Sequence, residues 1–338
     1  MKPWYNSSSL EGDVAISTRI RIARNLKNYP FPSRMNDEQI REVNELVLSS
    51  IANSNEEISR EFKRIDMEYI SESAAAALVE KCIVSPEFIL DRRNKILLLS
   101  KDENISICLN DSDHIRISVI LAGAAFEEAF EIADTIDNII SDSLSIAFSE
   151  QFGYLTECPT NLGTGMRASI LLHLPATEKM NEIRRIAESV SKIGLSLTNA
   201  FSGEYDNASS TYQLSNGITL GITERLAIEN LKSIAYQVMS RERIYRETLD
   251  RVEVEDSCFR ALGLLKNARR INEEEAAELL SKIRLGISLG IIAGIEPQTT
   301  TNIQMITKNN VIKNSFGEID QTHVDEKRAE IIRDVFLN

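Results

Sequence analysis

The chain runs on two hydrophobic periods, and the change from one to the other divides it. From Val14 to Asn25 the period is two. Ile16, Thr18, Ile20 and Ile22 would face one way, and Ser17, Arg19 and Arg21 the other. That alternation predicts a strand with one buried side. Lys95 to Ser100 and Ile105 to Leu109 read as strands around a turn at Asp102-Glu103-Asn104, and Ile115 to Leu121 and Ser169 to Leu174 as two more. Tyr212 to Ile222 holds two alternating runs about Asn216-Gly217, which predicts a hairpin with a type I′ turn. Between the strands the period is helical. One helix starts near Asn36 with Ile40, Val43, Val47 and Ile51 on a stripe, and an alanine-rich one covers Ser71 to Lys81. A long one buries Phe126, Phe130, Ala133, Ile140, Leu144 and Phe148. Another follows Pro175, carrying Met180, Ile183, Ala187, Val190 and Ile193, and Gly194 can end it.

After Thr223 only the helical period remains. Helices are expected to about Asp250, from Ser257 to Ala268, from Asn272, after Pro297, and from Gln321 onward. Asn272 is an N-cap followed by three glutamates, with Ala276, Leu280, Ile283, Ile287 and Ile291 on the stripe behind it. The expected fold class is α+β. A mainly antiparallel sheet flanked by helices (residues 1–250) is followed by an all-helical unit (residues 251–338).

Composition narrows the function. A net charge of -13 argues against a nucleic-acid binder, which needs a basic face. It suits cationic partners such as arginine-rich protein segments, although solubility alone would explain it. The cysteines at 82, 108, 158 and 258 form no C-x-x-C pair and do not cluster with histidine, so neither a structural zinc nor a disulfide framework is expected. Reduced thiols fit a cytoplasmic protein. The first residues carry no apolar core of a signal peptide, and no apolar run is long enough for a membrane span.

Three segments could carry chemistry. Arg19 and Arg21 share a strand face beside Ser17, and two adjacent guanidinium groups suit phosphate oxygens; alone, the pair fits a solvated strand face equally well. In Asn110-Asp111-Ser112-Asp113-His114-Ile115-Arg116, an early strand start would put Ser112, His114 and Arg116 on one face and both aspartates on the other. In CPTNLGTGMRAS, Cys158 to Ser169, Gly163 and Gly165 allow close backbone approach before Arg167 enters a strand.

Taken whole, CPTNLGTG-x-RAS resembles the signature of the phosphagen (ATP:guanidino) kinases. STRIRIARN, NDSDHIR and SNGITLG resemble neighbouring blocks of that family in the same order. KIRLGISLGIIAGI and VDEKRA are similar to its bacterial protein-arginine-kinase branch. The resemblance implies transfer of the ATP γ-phosphoryl group, with Mg2+, to arginine side chains exposed on protein substrates. It further implies a cytoplasmic stress-response role with an activator protein and the Clp protease machinery, and a homodimer formed through the helical unit. By position, Ser17, Arg19, Arg21, Arg116 and Arg167 contact the nucleotide phosphates, and Cys158 lies beside the acceptor guanidinium. Asp206, with Glu204 nearby, takes the place of a guanidinium-binding carboxylate, and no protein-held metal is implied. Asp325 and Arg328 match part of an allosteric phosphoarginine-binding motif whose first arginine is Val324 here.

The sequence also departs from the pattern. The base glutamate position is Ser112, a nucleotide-binding histidine is Cys82, and a further phosphate-binding arginine is Thr198. A general base is worth about 10²–10⁴-fold. The alternative reading is therefore a weakened or inactive kinase acting as a regulatory binding protein.

Overall fold

The structure is a computed structural model that describes residues 2–54, 62–200 and 208–337. The strands are β1 (Ala15–Arg24), β2 (Phe62–Asp66), β3 (Ile96–Ser100), β4 (Ile105–Leu109), β5 (Ile115–Ala122), β6 (Phe148–Ser149), β7 (Gly153–Tyr154), β8 (Met166–His173), β9 (Leu195–Asn199) and β10 (Thr211–Asn216). Among the described residues, eight of them form one sheet in the order β2-β3-β4-β5-β1-β8-β10-β9. Every neighbouring pair is antiparallel. The strands β6 and β7 form a small separate hairpin.

One face of the sheet is apolar. Ile20, Ile22, Ile117, Val119, Ala168, Ile170, Leu172, Leu195, Leu197 and Leu214 point into the main core. Helices α1 (Asp37–Ala52), α3 (Phe126–Ser141), α5 (Ile183–Ser191) and α6 (Glu224–Glu247) cover it, contributing Val43, Phe126, Ile140, Ile186, Leu231 and Met239 among others. The amphipathic stripes read from the sequence are the faces that dock here. The opposite face is covered only in part. Helix α2 (Glu72–Glu80) and a short turn at Pro86–Ile89 pack on Leu97, Leu99 and Cys108.

The helical unit comprises α7 (Arg251–Asn267), α8 (Glu273–Ser288), α9 (Pro297–Ile306), α10 (Asn309–Phe316) and α11 (Gln321–Leu337), around its own core of Val254, Leu265, Leu280, Ile283, Ile303 and Ile332. Helix α8 starts where expected, with the Asn272 side chain accepting from Glu275 N at 2.8 Å. Helix α7 starts six residues before the predicted Ser257, because Asp250 caps it by accepting from Glu253 N at 3.0 Å.

Four local expectations are corrected. The predicted hairpin at Asn216-Gly217 is absent: β10 ends at Asn216 and pairs with both β8 and β9. The Asn216 side chain accepts from Ala168 N at 2.8 Å and donates to Met166 O at 3.2 Å, so it joins strands instead of turning one. The helix expected to reach Phe148 stops at Ser141, and Phe148 is an exposed strand residue. The helix after Pro175 is two helices, α4 (Pro175–Lys179) and α5, separated at Asn181, whose φ is 57°. Ile16 leaves the apolar face, because the β1–β8 register shifts between Ala15 and Ser17 and sends it to a cluster with Ile120 and Met305.

Candidate active site

The partly open face of the sheet collects cations. On β1, with Ile20 and Ile22 committed to the core, Arg19 and Arg21 emerge opposite. Arg21 stands directly across from Arg167 on β8 and from Ser118 on β5. Arg19 stands across from Ser169 and Ile120. Arg116 lies on the same face, two residues before Ser118. Like charges directly opposed across strands are unfavourable, so this pairing serves something other than stability.

The partners of these arginines are mostly neutral. Arg19 Nε donates to Ser118 Oγ at 3.0 Å. Arg167 donates to Asn161 Oδ1 at 3.0 Å, Asn216 O at 2.9 Å and Thr160 O at 3.1 Å. Arg21 Nε is buried with no hydrogen-bond partner. Among the described residues, only Arg116 has a carboxylate, in an ion pair with Asp111. Burial and the fields of Arg19, Arg116 and Arg167 push Arg21 down to about 9, and burial followed by repulsion from Arg116 lowers Arg19 as well. The two guanidinium groups are crowded and short of negative charge. An incoming polyanion relieves that repulsion.

The glycine turn forms one wall. Gly163 has φ 101°, and a Cβ there would stand 2.1 Å from Thr219 O. Thr219 Oγ1 in turn donates to Leu162 O at 2.7 Å and Thr160 O at 3.0 Å. So the residues 217–221, read as half of a hairpin, instead pack against the turn and brace it. Cys158 is exposed at the start of this turn and shares a hydrogen bond with Thr160 Oγ1 at 3.1 Å. The Thr160 hydroxyl and amide, and then the Arg167 guanidinium, lower the thiol below its ordinary range.

The Asn110–Arg116 segment differs from its expectation. The strand starts only at Ile115, and Asn110 turns the chain with φ 58°. Asp111 therefore lies on the Arg116 side, where it pairs with that arginine, and not on the opposite face. Ser112 Oγ accepts from Arg116 Nη2 at 2.6 Å. Asp113 is turned inward, accepting from Asn25 Nδ2 at 2.7 Å and Glu157 N at 2.9 Å. His114 is buried as a brace: Leu26 N donates to its Nδ1 at 2.9 Å, so its Nε2–H donates to Pro30 O at 2.8 Å.

Two of the remaining positions adjoin the arginines and the others lie elsewhere. Ser17 is buried on β1 two residues before Arg19, and Cys82, partly buried with φ 61°, packs against the Ile120 cluster near Arg19 and Arg21. Thr198 is exposed on edge strand β9, in register with Gln213 of β10. Asp206 and Glu204 lie outside the described residues. Asp325 and Arg328 are in the helical unit, where Arg328 is fully buried and bonded to Thr307 O, Ile271 O, Asp325 and Asn309. Sequence reasoning missed Ser118, Ser169, Asn161 and Asn216. For the two serines the signal was present: Arg116-Ile117-Ser118 and Arg167-Ala168-Ser169 repeat the alternation already read in β1. No helix among the described residues is long and apolar enough to cross a membrane.

Crowded arginines on a half-covered antiparallel sheet, walled by a glycine turn with an activated thiol, define a phosphoryl-transfer class of protein. The comparisons with known proteins agree. The C-terminal catalytic domain of ATP:guanido phosphotransferases matches residues 42–245, and the protein-arginine kinase McsB C-terminal domain matches residues 251–338. The protein-arginine kinase of Clostridium acetobutylicum is 37% identical over 99% of both chains. That of Brevibacillus brevis is 39% identical over 98% of this chain and 95% of its own. A lombricine kinase crystal structure shares the fold at a TM-score of 0.63 and 18% identity, covering 74% of this chain and 73% of that one. The chain belongs to the ATP:guanido phosphotransferase family.

Proposed function

We propose that this protein is a protein-arginine kinase, which transfers the γ-phosphoryl group of ATP to the guanidinium of arginine side chains in proteins. The observation that carries the reading is the set of four arginines on one sheet face, three of them without a carboxylate among the described residues. Full-length relatives named protein-arginine kinase set the acceptor. The comparisons give no support to a non-catalytic binding protein.

Arg19, Arg21, Arg116 and Arg167 are proposed to neutralise the phosphates and hold the terminal phosphorus in line with the acceptor. The nucleotide enters as its magnesium complex, with the cation carried on the phosphates. A guanidinium nitrogen attacks phosphorus, the bond to the ADP oxygen breaks, and the acceptor nitrogen gives up its proton to the carboxylate assigned to Asp206. Cys158, with its lowered thiol, is proposed to stabilise the cationic acceptor as thiolate. Asp206 is assigned the carboxylate role. Ser112 cannot act as a base at neutral pH; its hydroxyl orients Arg116.

Residues 1–250 would be the catalytic unit and 251–338 the regulatory one. There Arg328 would fix Asp325, which would meet the guanidinium of a phosphoarginine. A stress-response role in the cytoplasm with an activator, Clp machinery and a homodimer rests on the family resemblance.

The test is direct. The protein is incubated with ATP, magnesium and casein, and phosphoarginine is sought by mass spectrometry under non-acidic conditions. Phosphoarginine in the parent and none with Arg167→Ala supports the reading; equal signal from both overturns it.

A further inference from the structure

Three of the four face arginines stand on neighbouring strands, β1 and β8, and one helix of the other unit holds both strands at the same end. The antiparallel register puts Ala15, at the start of β1, beside Leu172, near the end of β8. Helix α8 reaches both. Arg284 Nη2 donates to Gly12 O at 2.7 Å and reaches Ala15 O at 3.5 Å. Ser288 Oγ is shared between Asp13 O at 3.1 Å and Arg284 O of its own helix at 2.9 Å. Ser281 Oγ and His173 Nε2 share a hydrogen bond at 2.8 Å, and His173 is the last residue of β8. Ser281, Arg284 and Ser288 are spaced three and four residues apart, so they form one stripe of the helix.

This contact is more specific than domain packing requires. Arg284 is 3% exposed; its Nη donors go to carbonyls and hydroxyls, Gly12 O, Pro297 O at 2.9 Å and Thr301 Oγ1 at 2.9 Å, and its Nε has no hydrogen-bond partner. Burial and the neighbouring Arg246 push it down to about 9. An arginine so placed is costly unless its geometry is needed. The carbonyls it grips on this segment, Gly12 O and Ala15 O, lie at or just before the register shift between Ala15 and Ser17, at the end of β1 that leads into Ser17, Arg19 and Arg21. The opposed pair Arg21 and Arg167 also repels across these two strands, so a hold at one end resists their separation.

We infer that α8 is a positioning element for the nucleotide-binding arginines: Ser281, Arg284 and Ser288 of the helical unit set the spacing of Arg19 and Arg21 against Arg167. The inference rests on the nucleotide role proposed for that face. It makes the helical unit part of the catalytic geometry, since small misplacements of positioning groups are expensive in phosphoryl transfer.

The experiment compares the full-length parent, Ser281→Ala/Ser288→Ala, Arg284→Lys and, as a control, Ile332→Val, which thins the helical unit's own core. MgATP affinity is measured by calorimetry, and amide hydrogen exchange is followed in β1, β8 and the β3–β4 hairpin. The double serine variant and Arg284→Lys are expected to weaken MgATP binding about tenfold. Their β1 and β8 amides should exchange faster, with β3–β4 unchanged. Ile332→Val should keep affinity within about twofold. The serine pair keeps the test decisive if Arg284→Lys fails to fold. Parent-like affinity in the α8 variants overturns the inference, even if exchange accelerates. If the parent itself binds no MgATP, the nucleotide reading fails, and parent-like exchange in β1 and β8 separately overturns the clamp.

Discussion

The protein uses arginine in opposite ways in two regions. In the interior, three arginines are matched to carboxylates, and Arg284 is the exception, held by carbonyls and hydroxyls. Arg24 donates twice to Asp137 Oδ2, at 2.7 and 3.0 Å, and stacks on the Tyr154 ring. Arg246 pairs with Glu242 at 2.8 Å, and Arg328 with Asp325 at 2.6 Å. On the open sheet face, Arg19, Arg21 and Arg167 find only hydroxyls, amides and carbonyls among the described residues, or nothing. Arg24, Arg246 and Arg328 bring their counter-charge with them, whereas the face arginines are proposed to take theirs from a substrate. Arg116, tied to Asp111 and Ser112, stands between the two kinds.

Substitutions can break the comparison from either side. Arg167→Ala should lower turnover by about 10³–10⁵-fold while leaving the thermal midpoint level or slightly raised, because a like-charge neighbour is lost. Steady-state kinetics beside a melting curve checks both halves. Asp137→Ala should do the reverse. It leaves Arg24, 2% exposed, without its counter-charge and costs about 3–5 kcal/mol in a denaturant titration. Nucleotide affinity of the folded fraction should be unchanged.

Smaller effects come from titration. His114 and His173 are held neutral, in both cases chiefly by burial, with Arg284 and Arg246 adding to the effect at His173. Their folded values lie below the ordinary imidazole range, so the unfolded chain takes up protons first as pH falls. Stability is full above about pH 6.5 and declines below it. Melting curves across that range should show the decline, and His173→Gln should flatten it. The smallest expected effect is chemical. Iodoacetamide should modify Cys158 first and at lower pH than an ordinary thiol, while Cys108, pushed up to about 12 by burial, stays unmodified in the folded protein. Peptide mass spectrometry reads the order.

Much of this was legible in the sequence where one force dominates. The alternation in β1 announced its two faces, and Asn272 with three glutamates announced α8. The misreadings share a cause: a local preference lost to a long-range contact. Asn216-Gly217 favours a tight turn, yet the bonds from Asn216 to β8 and the packing of Thr219 against the glycine turn outweigh it. Strand alternation put Asp111 on the wrong side, because Asn110 at positive φ resets the phase. The hold of α8 on β1 and β8 joins residues more than a hundred positions apart, as with His173 and Ser281, and no local pattern signals it.

The central claim is that the open arginine face is the nucleotide site. Calorimetric titration of MgATP into the parent and into Arg21→Ala tests it most directly, since Arg21 has a buried donor with no partner and faces Arg167. The parent should bind at one site per chain, and Arg21→Ala at least about tenfold more weakly with its fold intact. Equal affinity in the two proteins, or no binding by the parent, would contradict the account.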